Sequence, residues 1–378
     1  MKKSLLILFF TCWALFFAAF RPVMPFAAET AAFPDGTPVT GGRILMGTIG
    51  EPSNLIPYMA SDSASGEITG LLYVAPLKYD KDLNVVPWAA ASYEVLEGGR
   101  LLRFVLRDDI RWEDGVPLTA DDVEFTYKLM IDPKTPTAYS GDFLAIESFK
   151  KTGRLSFEVR YAKPFARSLM TWMGAILPKH VLEGQDIMTT PVARKPIGAG
   201  PYRLAKWDAG SMLTLTASDT YFEGRPNLDE VVYRIIPDPS TMFLELKAGK
   251  LDMMSLSPQQ YLRQTQGPQW ERDWRKYRYL SFSYTFLGFN LEHPFFKDVR
   301  VRRAISMAID RQSLIDGVLL GQGVPTVGPY KPGTWAYNDK LTPVRQDVDE
   351  ARRLLDEAGW KKDKDGLLER DGKPFLFT

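Results

Sequence analysis

Sixteen residues without a charge, Leu5 to Phe20, stand directly behind Lys2 and Lys3 and limit this chain more than any other feature. A basic start followed by a short apolar stretch reads as a secretory signal. The run is shorter than the roughly 20 residues that a spanning helix needs. A leader over residues 1–28 is therefore expected, with the cut between 28 and 32, and a retained anchor is the alternative. Cutting after Ala28 places bulky Phe26 three residues before the cut, whereas cutting after Ala32 places Thr30 there and fits better. The single cysteine, Cys12, lies inside the apolar run, and the residues before it make a poor lipobox. No intrachain disulfide can form, so the exported chain has to be held by core packing.

Length and composition agree with that demand. At 378 residues, with 45% hydrophobic and 25% charged side chains, the chain is of ordinary globular make-up and long enough for two or three domains. Lys and Arg number 47 against 46 Asp and Glu; without residues 1–28, which hold three bases and no acid, the balance is 44 to 46. A basic groove for nucleic acid is not expected. Two histidines, His180 and His293, and no cysteine past Cys12 argue against a Cys/His metal centre, an iron–sulfur cluster or a thiol nucleophile. The 9 Trp, 16 Tyr and 22 Phe fit a large core, and beyond that a concave site walled by rings.

Patterning predicts a mixed α/β chain. Arg43 to Ile49 reads as a strand and Glu51-Pro52-Ser53-Asn54 as a turn, because Pro52 fixes its own φ and biases Glu51 away from helix. Ile68, Leu71, Leu72 and Ala75 fall at helical spacing until Pro76. Leu101 to Arg107 is strand-like. Thr119 with Asp122 forms a capping box for a helix that carries Val123, Tyr127 and Met130 on one face and ends near Asp132-Pro133. Strands are expected at 155–161, 201–208, 212–218 and 230–236, followed by a long β-prone run, Tyr279 to Asn290. Helices follow: one capped by Asp298 with Val301, Ile305, Ala308 and Ile309 inward, and one capped by Asp347 with Ala351, Leu354, Leu355 and Ala358 inward and Gly359 at its end. Lys373 to Thr378 reads as the opening of a strand with no turn behind it, and the chain is read as incomplete. Such an unfinished sheet is expected to aggregate and to bind ligand weakly or not at all.

Motifs for catalysis are missing from the sequence. It has no P-loop, no G-x-S-x-G elbow and no H-E-x-x-H. Gly198-Ala199-Gly200 lacks the third glycine of a dinucleotide loop, and a flexible crossover explains it better. His180 reads as a helix-start or surface residue and His293 as a loop residue. The carboxylate pairs Asp108-Asp109, Glu113-Asp114 and Asp121-Asp122 are close enough to raise glycosidase-type chemistry. Their positions at turns and caps favour solvated or capping roles.

Five ordered stretches resemble the bacterial extracellular solute-binding proteins of family 5, the peptide and nickel receptors of ABC importers. They are EPSNLIPY (51–58), LYVAPLKYD (72–80), LRDDIRWEDGVPLTADDV (106–123), GAGPYRLAKWD with TYFEGRP (198–208 and 220–226), and FNLEHPFFKDVRVRRAISMAIDRQSLI (289–315). The stretches are collinear, and the resemblance covers roughly residues 43–378. The resemblance implies the two-lobed, type II periplasmic-binding-protein fold, with an extra domain inserted in lobe one. Residues 33–63 and 196–283 would form lobe one, 64–195 the inserted domain, and 284–378 a second lobe cut mid-sheet.

It further implies a monomeric periplasmic receptor that is no enzyme, carries no cofactor or metal, closes on a short peptide about a hinge, and delivers it to an inner-membrane permease. A nickel chelate or other small solute, and a sensor of the same fold, are the alternatives within the class; a carboxylate-pair hydrolase is the alternative outside it. Ligand contacts are expected from Glu51, Ser53, Asn54, Tyr58 and Asp62, from Tyr139, Phe143 and Trp172, and from Trp335. Gly198, Gly200 and Asn290 are the expected hinge positions. The run Arg111 to Gly115 is expected to be a structural turn away from ligand.

Overall fold

The structure, a computed structural model, describes residues 38–377. The expected leader, its cleavage site and Cys12 lie outside the described residues. Among those described, no helix is long and apolar enough to cross a membrane. The chain divides into two compact units, one up to Ser255 and one from Leu256 onward. That division falls N-terminal to the expected step at 283/284.

The first unit holds two four-stranded sheets. In one, β1 (Arg43–Thr48), β8 (Tyr202–Asp208), β9 (Met212–Ala217) and β10 (Glu230–Ile235) lie in the order β1-β10-β9-β8. The pairs β8–β9 and β9–β10 are antiparallel and join neighbours in sequence. The strand β1 pairs with β10 in parallel, Arg43 opposite Glu230 through Thr48 opposite Ile235. A parallel partner needs a crossover connection, and here that connection contains the whole of the second sheet. Gly47 lets the helix Pro239–Lys247 press on β1: a Cβ at Gly47 would lie 2.7 Å from the Met242 side chain.

The second sheet, antiparallel throughout, runs β4-β5-β7-β6, built from β4 (Ala90–Leu96), β5 (Leu101–Leu106), β6 (Ile146–Lys151) and β7 (Ser156–Tyr161). Burial alternates along β7, so that Phe157, Val159 and Tyr161 face the core. On the solvent face, Arg103 pairs with Glu94 and Glu158, and Arg160 with Glu97. Exposed pairs of this kind are screened by solvent and contribute little to stability. A two-stranded ribbon, β2 (Leu77–Tyr79) with β3 (Val85–Pro87), leads into β4.

One continuous core serves both sheets, reaching from Leu55 to Tyr233. Its aromatic centre stacks Phe104 on Phe157 at 4.8 Å and sets Trp172 against both, at 5.6 and 5.3 Å. The helix α1 (Ser63–Leu72) buries Ile68 and Leu72, as its spacing predicts, and Asp62 caps it by accepting from Ser65 N. The helix α2 (Ala120–Ile131) carries the predicted capping box, with Thr119 and Asp122 bonding reciprocally to each other's backbone, and ends at Asp132.

The second unit is built around α3 (Val299–Ala308) and α4 (Val348–Glu357), capped by Asp298 and Asp347 as expected. Val301, Ala351, Leu354 and Ala358 are buried, whereas Ala308 is exposed. The buried position on α3 is Ala304, one turn after Val301, so the apolar stripe is narrower than the sequence suggests. Trp360 is buried with Val301 and Ala358 under Phe295, Phe296 and Phe375. The expected strand over Tyr279 to Asn290 does not form: the segment has no ladder partner among the described residues, and Tyr279, Phe282, Tyr284 and Phe286 are exposed. Strand propensity reports how well a side chain fits a paired, half-buried surface, and without pairing it has nothing to act on.

Candidate functional site

The apolar stripe of α1 leaves a second face of small residues. Ser65, Gly66, Thr69 and Gly70 recur one turn apart and line a cavity of about 370 Å³ in the first unit. The turn 54–60 forms its rim with Asn54 and Tyr58. Tyr73 and the segment Val74-Ala75 form the floor, and Met173-Gly174-Ala175, Trp88 and Tyr139 form the walls. No lining residue carries a charge. The Tyr73 hydroxyl is buried with no hydrogen-bond partner among the described residues.

Short-range capping chemistry builds the rim. Ser65 Oγ accepts from the backbone N–H of Ser53 (3.0 Å) and Asn54 (3.3 Å), and donates to Asp62 Oδ2 at 2.8 Å. Ser53 Oγ donates to the same carboxylate oxygen at 2.6 Å. Burial pushes the Asp62 carboxyl up, but the bonds from Ser53 and Ser65 outweigh it and hold the group below its ordinary value. Asn54 Oδ1 closes an Asx turn by accepting from Ile56 N at 2.8 Å. Ser65 is thus a fully engaged structural hydroxyl, and the carboxylate it meets, Asp62, is committed to the cap and held below its ordinary value, a poor base for a nucleophile.

The indole of Trp88 is framed from outside the cavity. Its Nε1 donates to Tyr221 Oη at 2.9 Å and lies 3.2 Å from Glu223 Oε2, and Tyr221 donates to Glu223 at 2.6 Å. Lys78 Nζ closes the frame at 2.7 Å from Glu223 and lies 5.3 Å from the Trp88 ring centroid. Burial pushes Glu223 up, yet Lys78 and Tyr221 prevail and hold it below the usual carboxylate range.

The expected site residues divide into three groups. Asn54, Tyr58 and Tyr139 line the cavity, and Ser53 and Asp62 brace its rim through Ser65. Phe143 and Trp172 are buried behind Tyr58 as core aromatics. Glu51 accepts from Trp207 Nε1 at 2.7 Å and from Gly210 N at 3.1 Å, and Arg194 lies 3.6 Å away, so its carboxylate is used internally. Trp335 belongs to the second unit, where it is exposed. The sequence reading missed Ser65, Gly66, Thr69, Gly70, Tyr73, Trp88 and the 173–175 wall. The signal for the first four was present in α1, as the face that its apolar spacing leaves free.

Gly198 and Gly200 lie inside the first unit, and neither has a positive φ. Crowding explains them: an added Cβ would lie 2.0 Å from Leu72 O at Gly198 and 2.5 Å from Leu71 O at Gly200, and Gly200 N donates to Leu72 O. The signature loop grips the same segment. Glu113 N donates to Gly198 O at 2.9 Å, and Gly198 N donates to Glu113 Oε1 at 3.3 Å. Burial raises the Glu113 carboxyl above its ordinary value. The rest of the loop is structural, as expected: Trp112 is fully buried, and Gly115 turns with φ +88°. Asp114 meets His180 Nε2 at 2.8 Å, and Asp122 serves both the box and Lys179 N at 2.9 Å. Asp109 and Asp121 pair with Arg107 and Lys151. Glu113 departs from the expected solvated role.

Known proteins share this architecture. The chain is 33% identical over 352 residues to the oligopeptide-binding protein AppA of Bacillus subtilis, an alignment covering 91% of this chain and 64% of that relative. It thus spans less than two thirds of that relative's length. The structure of B. subtilis AppA in complex with a nonapeptide matches with a TM-score of 0.79 at 32% identity, over 90% of this chain and 68% of that one. NikZ of Campylobacter jejuni in complex with Ni(L-His) matches at 0.77 and 27% identity, over 88% and 66%. These solved proteins share the mixed α/β fold expected from the sequence. Residues 84–378 match the middle part of the family description. The chain belongs to the bacterial extracellular solute-binding proteins, family 5.

Proposed function

We propose that this protein is the substrate-binding component of an ABC importer, that it captures short peptides outside the cytoplasmic membrane, in the periplasm, and that it passes them chemically unchanged to a membrane permease. The observation that carries the reading is the uncharged cavity against α1. Its walls offer hydroxyls, an amide, rings, the Met173 thioether and bare glycine backbone, and no Asp, Glu, Lys, Arg, His or Cys. Such a lining holds neutral amide-bearing ligand and does no covalent work on it. The nonapeptide held by the AppA relative supports the same reading.

In this reading, residues 33–63 and 196–283 form lobe one, 64–195 the inserted domain and 284–378 the second lobe. The packing of Gly198 and Gly200 on α1 argues against hinge roles for them and leaves Asn290 as the hinge candidate. Glu51, Phe143 and Trp172 act behind the ligand surface, while Asn54, Tyr58 and Tyr139 face it. Trp335 is proposed as a contact from the second lobe. A chelate-binding role is the second reading, favoured by the match to NikZ with its nickel–histidine ligand.

Native mass spectrometry of the exported protein tests both. Copurified short peptides, released intact, are expected. A metal chelate in their place would replace the first reading with the second, and hydrolysed peptide would overturn both.

A further inference from the structure

Tyr58 has φ +73°, a backbone region that side chains rarely occupy. Three sets of contacts hold it there. Its hydroxyl donates to Ala175 O at 2.8 Å, and its own carbonyl accepts from Thr137 Oγ1 at 2.8 Å. Its ring meets Tyr139 and Phe143 edge-on, with centroids 6.2 and 6.0 Å apart. Opposite the ring, Gly174 has to stay bare, because a Cβ would sit 2.2 Å from the Tyr58 hydroxyl. Backbone strain of this kind persists only where the surroundings over-determine it, and it gathers at functional sites.

Behind the ring lies a second, nearly filled void of about 10 Å³. Tyr58, Gly174 and Ala175 line both this void and the cavity in front, so they form the wall between the two. The void is otherwise bounded by Pro76, Val123, Phe143, Trp172 and Ile176, with two threonines. Both hydroxyls are already engaged: Thr126 Oγ1 donates to Asp122 O and accepts from Leu177 N, and Thr171 Oγ1 donates to Arg167 O. The space that the Tyr58 ring closes off is therefore apolar and aromatic in character.

We propose that Tyr58 is a specificity-determining partition: its ring sets the depth of the cavity by filling the room in front of the apolar, aromatic wall behind it, and so keeps bulky apolar side chains off that wall. The inference rests on the reading that this cavity takes ligand, and it adds the side-chain class that is refused. Small side chains and main chain stop at the Tyr58 ring. Removing the ring joins void and cavity into one deeper pocket with walls suited to an indole or phenyl group.

The test uses the exported protein and titration calorimetry. Tyr58→Gly deletes the ring and also suits the left-handed backbone; Tyr58→Asn, whose short side chain tolerates that backbone, serves if the glycine variant does not fold. Tyr58→Phe keeps the ring and loses only the hydroxyl. Indole alone is expected to bind the glycine or asparagine variant about ten-fold tighter than the natural protein, and the phenylalanine variant no tighter. The preference for Ala-Trp-Ala over Ala-Ala-Ala is expected to rise by about the same factor. A folded glycine or asparagine variant with no gain for indole overturns the proposal, as does an equal gain in Tyr58→Phe. Gain for indole with no binding of either peptide by any variant upholds the partition and removes the peptide reading.

Discussion

The sheet built from β8, β9 and β10 and the run Tyr279 to Asn290 have similar sequences and different fates. Both are strand-prone, the sheet through Thr, Val and Ile and the run through its aromatics. In the first, antiparallel neighbours fix each strand, and Leu213 and Leu215 are fully buried. In the second no ladder forms among the described residues, and Tyr279 and Phe286 stand 76% and 70% exposed. Pairing, which is a property of two segments, decides the outcome; propensity, a property of one, does not. The same contrast separates the two units: the first has one core across both sheets, and the second has small clusters around α3 and α4.

The largest effect that would sharpen this contrast is a tryptophan deletion in each unit. Trp112 and Trp360 are both essentially unexposed. Trp112 belongs to the continuous core, where surrounding side chains are fixed by many neighbours, so Trp112→Ala should cost about 5 kcal/mol. Trp360 lies under half-buried Phe295 and Phe375, which have room to shift into the gap, so Trp360→Ala should cost about 3 kcal/mol. Hydrogen exchange read separately on β5 and β7 and on α3 and α4 would measure the two. Equal losses would break the contrast.

The next effect separates glycines that are crowded from glycines that are merely small. Gly198→Ala places a methyl carbon 2.0 Å from a carbonyl oxygen and should destabilise by about 1–3 kcal/mol in denaturant unfolding. Gly70→Ala meets nothing within 4 Å in a helix and should stabilise by about 0.5–1 kcal/mol. Gly70 lines the cavity, so the same change should weaken peptide binding while it raises the melting temperature. A Gly70→Ala protein with unchanged affinity would remove the small face of α1 from the site.

These residues also show which parts of the molecule were legible beforehand. Three caps were legible because Thr119, Asp298 and Asp347 act within three residues of themselves; Asp62, expected to touch ligand, caps α1 in the same way. The strands β1, β5 and β7–β10 were legible in the sequence, whereas the edge strands β4 and β6 were not, because each buries only its first residue and shows no alternation. The parallel register of β1 on β10 was not, since nothing local encodes a partner so distant in sequence. Glu51 looked free because Trp207 and Gly210, which take up its carboxylate, lie far along the chain. Gly198 was read as freedom of φ, whereas crowding from α1 is the reason for it. The cavity was half legible: its rim residues came from the family resemblance, and Trp88 depends on a frame from Tyr221 and Glu223 that only the fold assembles.

A half-buried carboxylate, Glu113, and a more exposed one, Glu223, give the smallest and most diagnostic comparison, because desolvation acts on both and partners decide the sign. Glu113 has burial as its largest influence, and neither the Gly198 N–H nor the charge of Arg203 offsets it, so its carboxyl is raised. The folded state then binds more protons than the unfolded one between the ordinary and raised values, and stability falls as pH rises through that window. Glu223 has Lys78 and is lowered; its contribution is present above the ordinary carboxylate value and is lost as pH falls through the lowered one. Melting temperatures between about pH 3 and pH 7 should therefore show the Glu113→Gln protein gaining on the natural one as pH rises. The Glu223→Gln protein should lose ground over the same range, by less, because solvent screens a partly exposed pair. Tryptophan fluorescence and peptide affinity should also change in Glu223→Gln, through Trp88, and stay constant in Glu113→Gln. Parallel pH profiles for the two variants would mean that Lys78 does not hold Glu223, and that the wall of the cavity is set by packing alone.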